Sequence, residues 1–301
     1  MKRPGRPNKK NDEGPSGAEY DGFSTDSLAA LQGDAVGKYD SSLTRVVPVF
    51  DELMRQDPTG EAWIHRLLSL PQHGARMLTD RRELRLRNSP QGVSYGWGQH
   101  EVALQPPLSL LTWLVRNADK MDIDRLRGSR STIEKRRALL HRDPIVMSEA
   151  LELLNRRSRG RGWHILEGPS YPDAFLDTDE AVIVIEGKRT ERGPTIGTTF
   201  MSGRHQMLRH MDCAWEIREQ REVYGFFIVE GPKVSADWAT FASETVSKGA
   251  LSSSLPHRTV EDRALIKRGF LGVTTWQEVC DAVGLDRSVL IQEVAANYAC
   301  T

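Results

Sequence analysis

The sequence predicts a mixed α/β fold, and three observations support this prediction. Two apolar runs, AVIVI at 181–185 and YGFFIV at 224–229, have the length and composition of buried strands. Residues 202–220, between them, carry apolar side chains at helical spacing. Residues 143–157 begin with Asp-Pro, which is typical of a helix start. With two shorter runs before 181, the predicted order is α-β-β-β-α-β followed by helices, which gives a mixed sheet with helices on its faces.

The first 142 residues divide into a tail and a mainly helical region. Residues 1–42 are rich in Gly, Pro, Ser and charged side chains, so we expect a disordered basic and polar tail. Residues 43–142 contain VVPVFDELMRQ, GEAWIHRLLSL and PPLSLLTWLVRNADK, whose apolar residues recur at helical spacing. The Gly-rich aromatic segment 89–102 predicts a loop or a short hairpin. Residues 143–301 then form the second predicted domain.

Three strands are predicted near the start of that domain, namely WHILEG (163–168), PDAFLDT (172–178) and AVIVIEGKRT (181–190). The third has apolar side chains on both faces until Glu186, which marks a central strand. Glu186 and Lys188 then project on one face where the strand leaves the core. A tight turn between the second and third strands brings Asp173 back beside Glu186. The last predicted elements are closing helices at 274–285 and 287–298, which form either a plain helical hairpin or a helix-turn-helix.

The residues at this strand end suggest metal chemistry. Two carboxylates close together are hard oxygen ligands of the kind that Mg²⁺ or Mn²⁺ binds. A metal held there polarises a phosphate and lowers the pKa of a bound water, and Lys188 stabilises the developing charge. The alternative is a structural ion pair between Glu186 and Lys188.

The pattern Pro172-Asp173, twelve residues, Glu186-Gly187-Lys188 resembles the PD-(D/E)xK nuclease superfamily, which includes restriction endonucleases, repair nucleases and Holliday-junction resolvases. The resemblance covers about residues 143–280 and implies a restriction-endonuclease-like core. It also implies that Asp173 and Glu186 are metal ligands, that the carbonyl of Gly187 is a further candidate ligand, and that Lys188 is the catalytic lysine.

The same resemblance suggests supporting residues. A glutamate on the first helix of such proteins corresponds to Glu149, with Glu152 as the alternative. A polar residue on the helix after the third strand corresponds to Gln206. Arg204 and Arg209, on either side of it, are candidates for holding phosphate.

Arginine is concentrated in three segments although the formal net charge of the chain is zero. These segments are 81–87, 125–137 and 155–162. Guanidinium groups suit phosphate contacts, and we expect Arg156, Arg157 and Arg159 to contact nucleic acid. The alternative is an ordinary solvated surface.

The remaining features exclude several classes of protein. Cys213, Cys280 and Cys300 are widely spaced, which argues against a disulfide scaffold or a structural zinc site. We find neither a phosphate-binding loop of the NTPase type nor a signal sequence or membrane-spanning apolar run, so we expect a cytoplasmic protein.

The predicted function is metal-dependent hydrolysis of nucleic acid, with a DNA endonuclease of restriction, defence or repair as the leading hypothesis. The alternative is a binding or assembly module without catalysis. A homodimer joined through 43–142 is expected if both DNA strands are cut.

Overall fold

The computed structural model describes residues 40–77, 84–87, 93–118, 128–156 and 162–291. The predicted tail up to residue 39, the arginines Arg157 and Arg159, and residues 292–301 of the last predicted helix lie outside these ranges.

A five-stranded mixed sheet forms the centre of the fold, in the order β1-β2-β3-β6-β7. β1 pairs antiparallel with β2 and β2 with β3, whereas β3, β6 and β7 run parallel. This confirms the predicted mixed α/β fold. The remaining strands, β4 and β5, form a separate antiparallel pair. The bounds are β1 Tyr95–Trp97, β2 Ala174–Asp177, β3 Ala181–Gly187, β4 Ile196–Thr198, β5 Met201–His205, β6 Glu222–Val229 and β7 Phe270–Thr275.

Eleven α-helices occur within the described ranges, with a π-helical turn at Ser42–Val46 and 3-10 turns at Gly98–His100 and Arg287–Val289. The helices are α1 Val47–Gln56, α2 Ile64–Ser69, α3 Gly74–Met77, α4 Leu108–Arg116, α5 Arg130–Leu140, α6 Pro144–Asn155, α7 Gln206–Ile217, α8 Ala236–Thr245, α9 Lys248–Ser254, α10 Val260–Gly269 and α11 Trp276–Val283. None of these described helices is long and apolar enough to cross a membrane.

The two faces of the sheet are covered by different helices. Ile183 and Ile185 of β3 pack in a cluster with α1, α2 and α11. Val182 and Val184 pack on the opposite face, in a cluster with α7, α8 and α10. Because strand side chains alternate between faces, Glu186 continues the second face, where α7 lies.

The region predicted as mainly helical also contributes to this sheet. Its aromatic segment supplies β1, which is the edge strand beside β2. α1 and α2 cover one face of the sheet. Residues on both sides of position 143 therefore share the sheet and its core.

The predicted strand at 163–168 is wrong. Residues 163 and 164 form a turn, and 165–168 are irregular. The carbonyls of Trp163 and Ile165 accept from the side chain of Arg136. The third antiparallel strand is β1, which precedes α6 in the sequence.

The helix predicted from 143 is present as α6. It begins at Pro144, and Asp143 accepts the backbone N–H groups of Ile145 and Val146 at 2.9 and 3.1 Å. α6 packs with α4 and α5 in a third cluster, which also includes Leu166, Phe200 and, from β5, Met201. No residue of the five-stranded sheet belongs to this cluster. The first helix is therefore separated from the strands that carry Asp173 and Glu186.

The closing helix predicted at 274–285 is confirmed as α11. Thr275 and Glu278 form a capping box at its start, and Gly284 ends it with φ of 78°. Residues 287–289 form a 3-10 turn, and the chain is described to residue 291.

Candidate active site

The turn between β2 and β3 places Asp173 beside Glu186. Ala174 lies opposite Ile185 in the antiparallel register, so the next pair outward is Asp173 and Glu186. The backbone N–H of Gly187 donates to Asp173 Oδ2 at 2.8 Å. The return of Asp173 that the sequence predicted is therefore present, and it is fixed by a backbone hydrogen bond.

Glu186 is enclosed by polar groups. The residue is 1% exposed. Its Oε1 accepts from Lys188 Nζ at 2.7 Å and from Gln206 Nε2 at 2.6 Å. His210 Nε2 lies 2.9 Å from Oε2, but the two atoms are poorly aligned for a hydrogen bond, so this contact is mainly electrostatic. Each carboxylate oxygen of Glu186 therefore has a nitrogen-bearing side chain next to it, namely Lys188 and Gln206 at Oε1 and His210 at Oε2.

Helix α7 supplies two of these neighbours. It begins at Gln206 directly after β5, and His210 follows one turn later. Residues four apart lie on the same face of a helix, which explains why both side chains reach the same carboxylate. The other nitrogen of His210, Nδ1, lies 2.8 Å from Ser170 Oγ.

Gly187 is required by packing. A Cβ atom at this position would lie 2.8 Å from both Trp276 Cζ2 and Val46 Cγ2. The π-helical turn and α11 therefore pack directly against the backbone between Glu186 and Lys188. This close contact holds the end of β3 in place.

Burial and charge shift the pKa values of these groups. Burial acts to raise the pKa of Glu186, but contact with His210 and Lys188 outweighs it, and the pKa is lowered. Burial, and after it the charge of Glu186, hold the pKa of Asp173 well above its ordinary value. Burial acts to lower the pKa of Lys188, but Glu186 and Asp173 raise it overall. Glu186 and Lys188 are therefore both charged at neutral pH. Asp173 is the carboxyl group whose ionisation is made less favourable by burial and by the charge of Glu186.

A further carboxyl group lies in the same electrostatic field. Burial by the surrounding protein, and then the charges of Glu186 and Asp40, raise the pKa of Glu101 to about 7. Glu101 is an exposed residue, so solvent weakens this effect. Its charge in turn contributes to the raised pKa of Asp173.

The donor set is compatible with magnesium or manganese. Within the described ranges, no group of three or more His, Cys, Asp or Glu side chains is close enough to form a metal site of its own. Mg²⁺, however, binds proteins through one or two carboxylates and keeps several waters. Burial, and then the charge of Glu186, raise the pKa of Asp173, and a divalent cation bound between the two carboxylates would oppose both effects.

The two glutamates predicted on the first helix lie in other contacts. Glu149 contacts Lys135 of α5, and Glu152 contacts Arg156, the residue that follows α6. The contacts of Glu186 come instead from Lys188, Gln206 and His210. The physical reason is the separate packing of α6 described above.

The predicted phosphate-binding arginines occupy different environments. Arg204 is 1% exposed, and its guanidinium pairs with Glu167 and Asp212 at 2.9 and 2.8 Å. It therefore links β5 to α7, and its placement on a phosphate-binding surface is corrected. Arg209 is partly exposed and donates to the carbonyls of Gly168 and Pro169. Arg156 is exposed at the end of α6. Arg157 and Arg159 lie outside the described residues.

Three contributors to the site were missed from the sequence. His210 was not identified from the sequence, yet it is 3% exposed and contacts Glu186. Its spacing of four from Gln206 is a signal that would have placed it on the same face. Ser170 contacts His210, and Glu101 acts on Asp173 through its charge. Both come from distant segments, for which the sequence holds no local signal.

Comparison of the chain with protein-family models, with curated proteins and with solved structures gave no match.

Proposed function

We propose that this protein is a metal-dependent nuclease that hydrolyses phosphodiester bonds, with DNA as its substrate. The observation that supports this proposal is the convergence of Asp173, Glu186 and Lys188 at the ends of two paired strands. A restriction-endonuclease-like fold is part of the proposal, and restriction, defence or repair is the role that suits such an activity.

Asp173 and Glu186 are the residues that would hold Mg²⁺ or Mn²⁺, and the carbonyl of Gly187 is a further candidate ligand. When bound, the ion supplies Lewis-acid chemistry at the phosphate and lowers the pKa of a coordinated water. The protein fixes the two carboxylates beforehand, because Gly187 N–H holds Asp173 and Gln206 holds Glu186. Such preorganisation lowers the cost of reaching the reactive geometry.

Lys188 acts as a cation in this proposal. Its pKa is raised by Glu186 and Asp173, so it retains its proton at neutral pH. A protonated lysine is unsuited to removing a proton from water. It is suited to donating a hydrogen bond to a phosphate oxygen and to stabilising the negative charge that develops there.

The expected partners are nucleic acid and, for double-strand cleavage, a second copy of the chain. One site cuts one strand, so a double-strand break requires two sites in a symmetric arrangement. Residues 43–142 are the proposed dimer interface.

The direct test is incubation of the purified protein with supercoiled, linear and branched DNA and with single-stranded RNA. Each substrate is tested with Mg²⁺, with Mn²⁺ and with excess chelator. Asp173→Asn removes a proposed ligand, and Asp177→Asn is the matched control at the other end of β2, where the carboxylate contacts Arg221. We expect metal-dependent cleavage by the parent and by Asp177→Asn, and none by Asp173→Asn.

A binding module without catalysis is the second candidate. One observation favours it, since Glu186 and Lys188 already form a buried ion pair with each other. Nucleic-acid binding without cleavage, unchanged by Mg²⁺, Mn²⁺ or Asp173→Asn, would support this candidate and contradict the nuclease proposal.

A further inference from the structure

We infer that His210, supported by Ser170, is a positioning residue that fixes the orientation of the Glu186 carboxylate for metal binding. This inference rests on the metal-holding role of Glu186 in the proposed function. It concerns two residues that the resemblance did not indicate, and it rests on three sets of contacts in the structure.

The first relationship is the anchoring of Ser170. Its N–H donates to the carbonyl of Leu104 at 2.8 Å, and its own carbonyl accepts from the N–H of Leu104 at 2.9 Å. Both backbone groups of Ser170 are thus fixed by a neighbouring segment. The residue is 1% exposed, and its hydroxyl has few positions available to it.

The second relationship is the link from Ser170 to His210. Ser170 Oγ lies 2.8 Å from His210 Nδ1. The Ser170 hydroxyl occupies Nδ1, so Nε2 is the ring nitrogen that faces Glu186.

The third relationship is a pair of contacts from α7, one at each carboxylate oxygen of Glu186. Gln206 donates to Oε1 at 2.6 Å, and His210 Nε2 lies 2.9 Å from Oε2. Because Gln206 and His210 are four residues apart on one helix, they contact the two carboxylate oxygens from the same side and restrict the rotation of the carboxylate. Outer groups of this kind orient metal-binding side chains and influence metal affinity.

A purely structural role for His210 would affect stability and leave metal affinity unchanged. His205 offers a matched control, because it is also buried, at 5% exposure, and its Nε2 contacts Thr245 rather than Glu186. His210→Phe and His205→Phe therefore remove the same polar group from similar surroundings. His210→Gln retains a donor close to the position of Nε2.

The experiment is titration of each full-length variant with Mn²⁺ by calorimetry, with melting temperature recorded in parallel. We expect His210→Phe to weaken Mn²⁺ binding about tenfold, and His210→Gln to restore most of it. His205→Phe should lower the melting temperature and bind Mn²⁺ like the parent. Ser170→Ala is a milder change that serves as a second variant if His210→Phe does not fold. It should weaken Mn²⁺ binding about threefold.

Equal Mn²⁺ affinity in the parent, His210→Phe and Ser170→Ala would overturn the inference, and so would an equal loss in His205→Phe. A parent that binds no Mn²⁺ overturns it as well. A parent that binds Mn²⁺ but cuts no nucleic acid contradicts the proposed nuclease activity alone. In that case a weakened His210→Phe still supports the positioning role.

Discussion

The backbone N–H of Gly187 donates to Asp173 Oδ2 at 2.8 Å, and this bond joins the start of β2 to the end of β3. It fixes Asp173 next to the neighbouring carboxylate of Glu186 without pairing it with a cation of its own. Burial and the charge of Glu186 raise the pKa of Asp173 as a result. The two carboxyl groups therefore repel each other, and the nearby charge of Lys188 reduces this destabilising effect without cancelling it.

The first prediction concerns this repulsion. Asp173→Asn should raise the free energy of unfolding at pH 7 by about 1 kcal/mol in chelator, because it removes a charge and retains an oxygen that accepts from Gly187. Added Mn²⁺ should stabilise the parent and leave this variant unchanged. Chemical denaturation with and without Mn²⁺ measures both effects. A variant less stable than the parent in chelator would show that the carboxylate charge is structural.

The second prediction concerns the stability of Glu186 variants. Lys188 is only 8% exposed, and its ammonium group is paired with Glu186 at 2.7 Å. Glu186→Ala leaves that ammonium group buried without its partner, which costs about 3 kcal/mol.

The double variant Glu186→Ala/Lys188→Met tests this reasoning, since it removes both charges and should recover most of the lost stability. Denaturant unfolding of Glu186→Ala, of Lys188→Met and of the double variant gives the coupling energy between the two side chains. Additive effects, with no recovery in the double variant, would contradict a buried ion pair. Cleavage should be absent from all three variants.

The sequence was informative where local pattern determines structure. The apolar run of β3 ends at Glu186, and the turn before it is short, so the position of Asp173 opposite Glu186 followed from strand geometry alone. The capped start of α6 was likewise predicted, because Asp143 accepts from backbone N–H groups two and three residues later.

The sequence was uninformative where distant segments meet. β1 has three residues, too few for a periodic signal, and it becomes a strand by pairing with β2, which lies about eighty residues later. Arg204 has the composition of a surface residue but is buried, because Glu167 and Asp212 neutralise it from two other segments. Such pairings depend on tertiary packing, which no window of sequence contains.

The third prediction concerns Gly187. Gly187→Ala places a methyl group 2.8 Å from Trp276 and Val46, so the end of β3 must shift. We expect a loss of about 1–3 kcal/mol of stability together with weaker Mn²⁺ binding, because Glu186 and Lys188 flank this position. Gly249→Ala in α9 is the matched control, since a Cβ atom there has no neighbour within 4 Å. Thermal unfolding and Mn²⁺ titration of both variants separate a local packing effect from a general effect of added bulk.

The fourth prediction concerns phosphate contacts by the cluster at 155–162. Arg156→Ala/Arg157→Ala/Arg159→Ala should weaken DNA binding and reduce the slope of log affinity against log salt by about 2 to 3. Arg55→Ala/Arg66→Ala/Arg76→Ala removes the same charge from exposed positions of α1, α2 and α3. Fluorescence anisotropy between 50 and 200 mM salt, about the range where such contacts are lost, gives both slopes. Equal slopes in the two triple variants would identify the cluster as ordinary solvated surface.

The fifth prediction concerns acid stability and His205. Burial, and then the charge of His210, lower the pKa of His205 to about 4, below the value near 6.5 of an unfolded chain. Between these values the unfolded chain binds the proton and the folded protein does not, so stability falls as the pH drops from about 6.5 to about 4. The full effect is at most about 3 kcal/mol. His205→Gln removes the titrating imidazole, so the free energy of unfolding should fall less steeply with decreasing pH. His141→Gln, at an exposed position, should leave the slope unchanged. Denaturant unfolding at intervals from pH 7 to pH 4 measures the slope, and an equally steep decline in His205→Gln would assign the acid sensitivity to other groups.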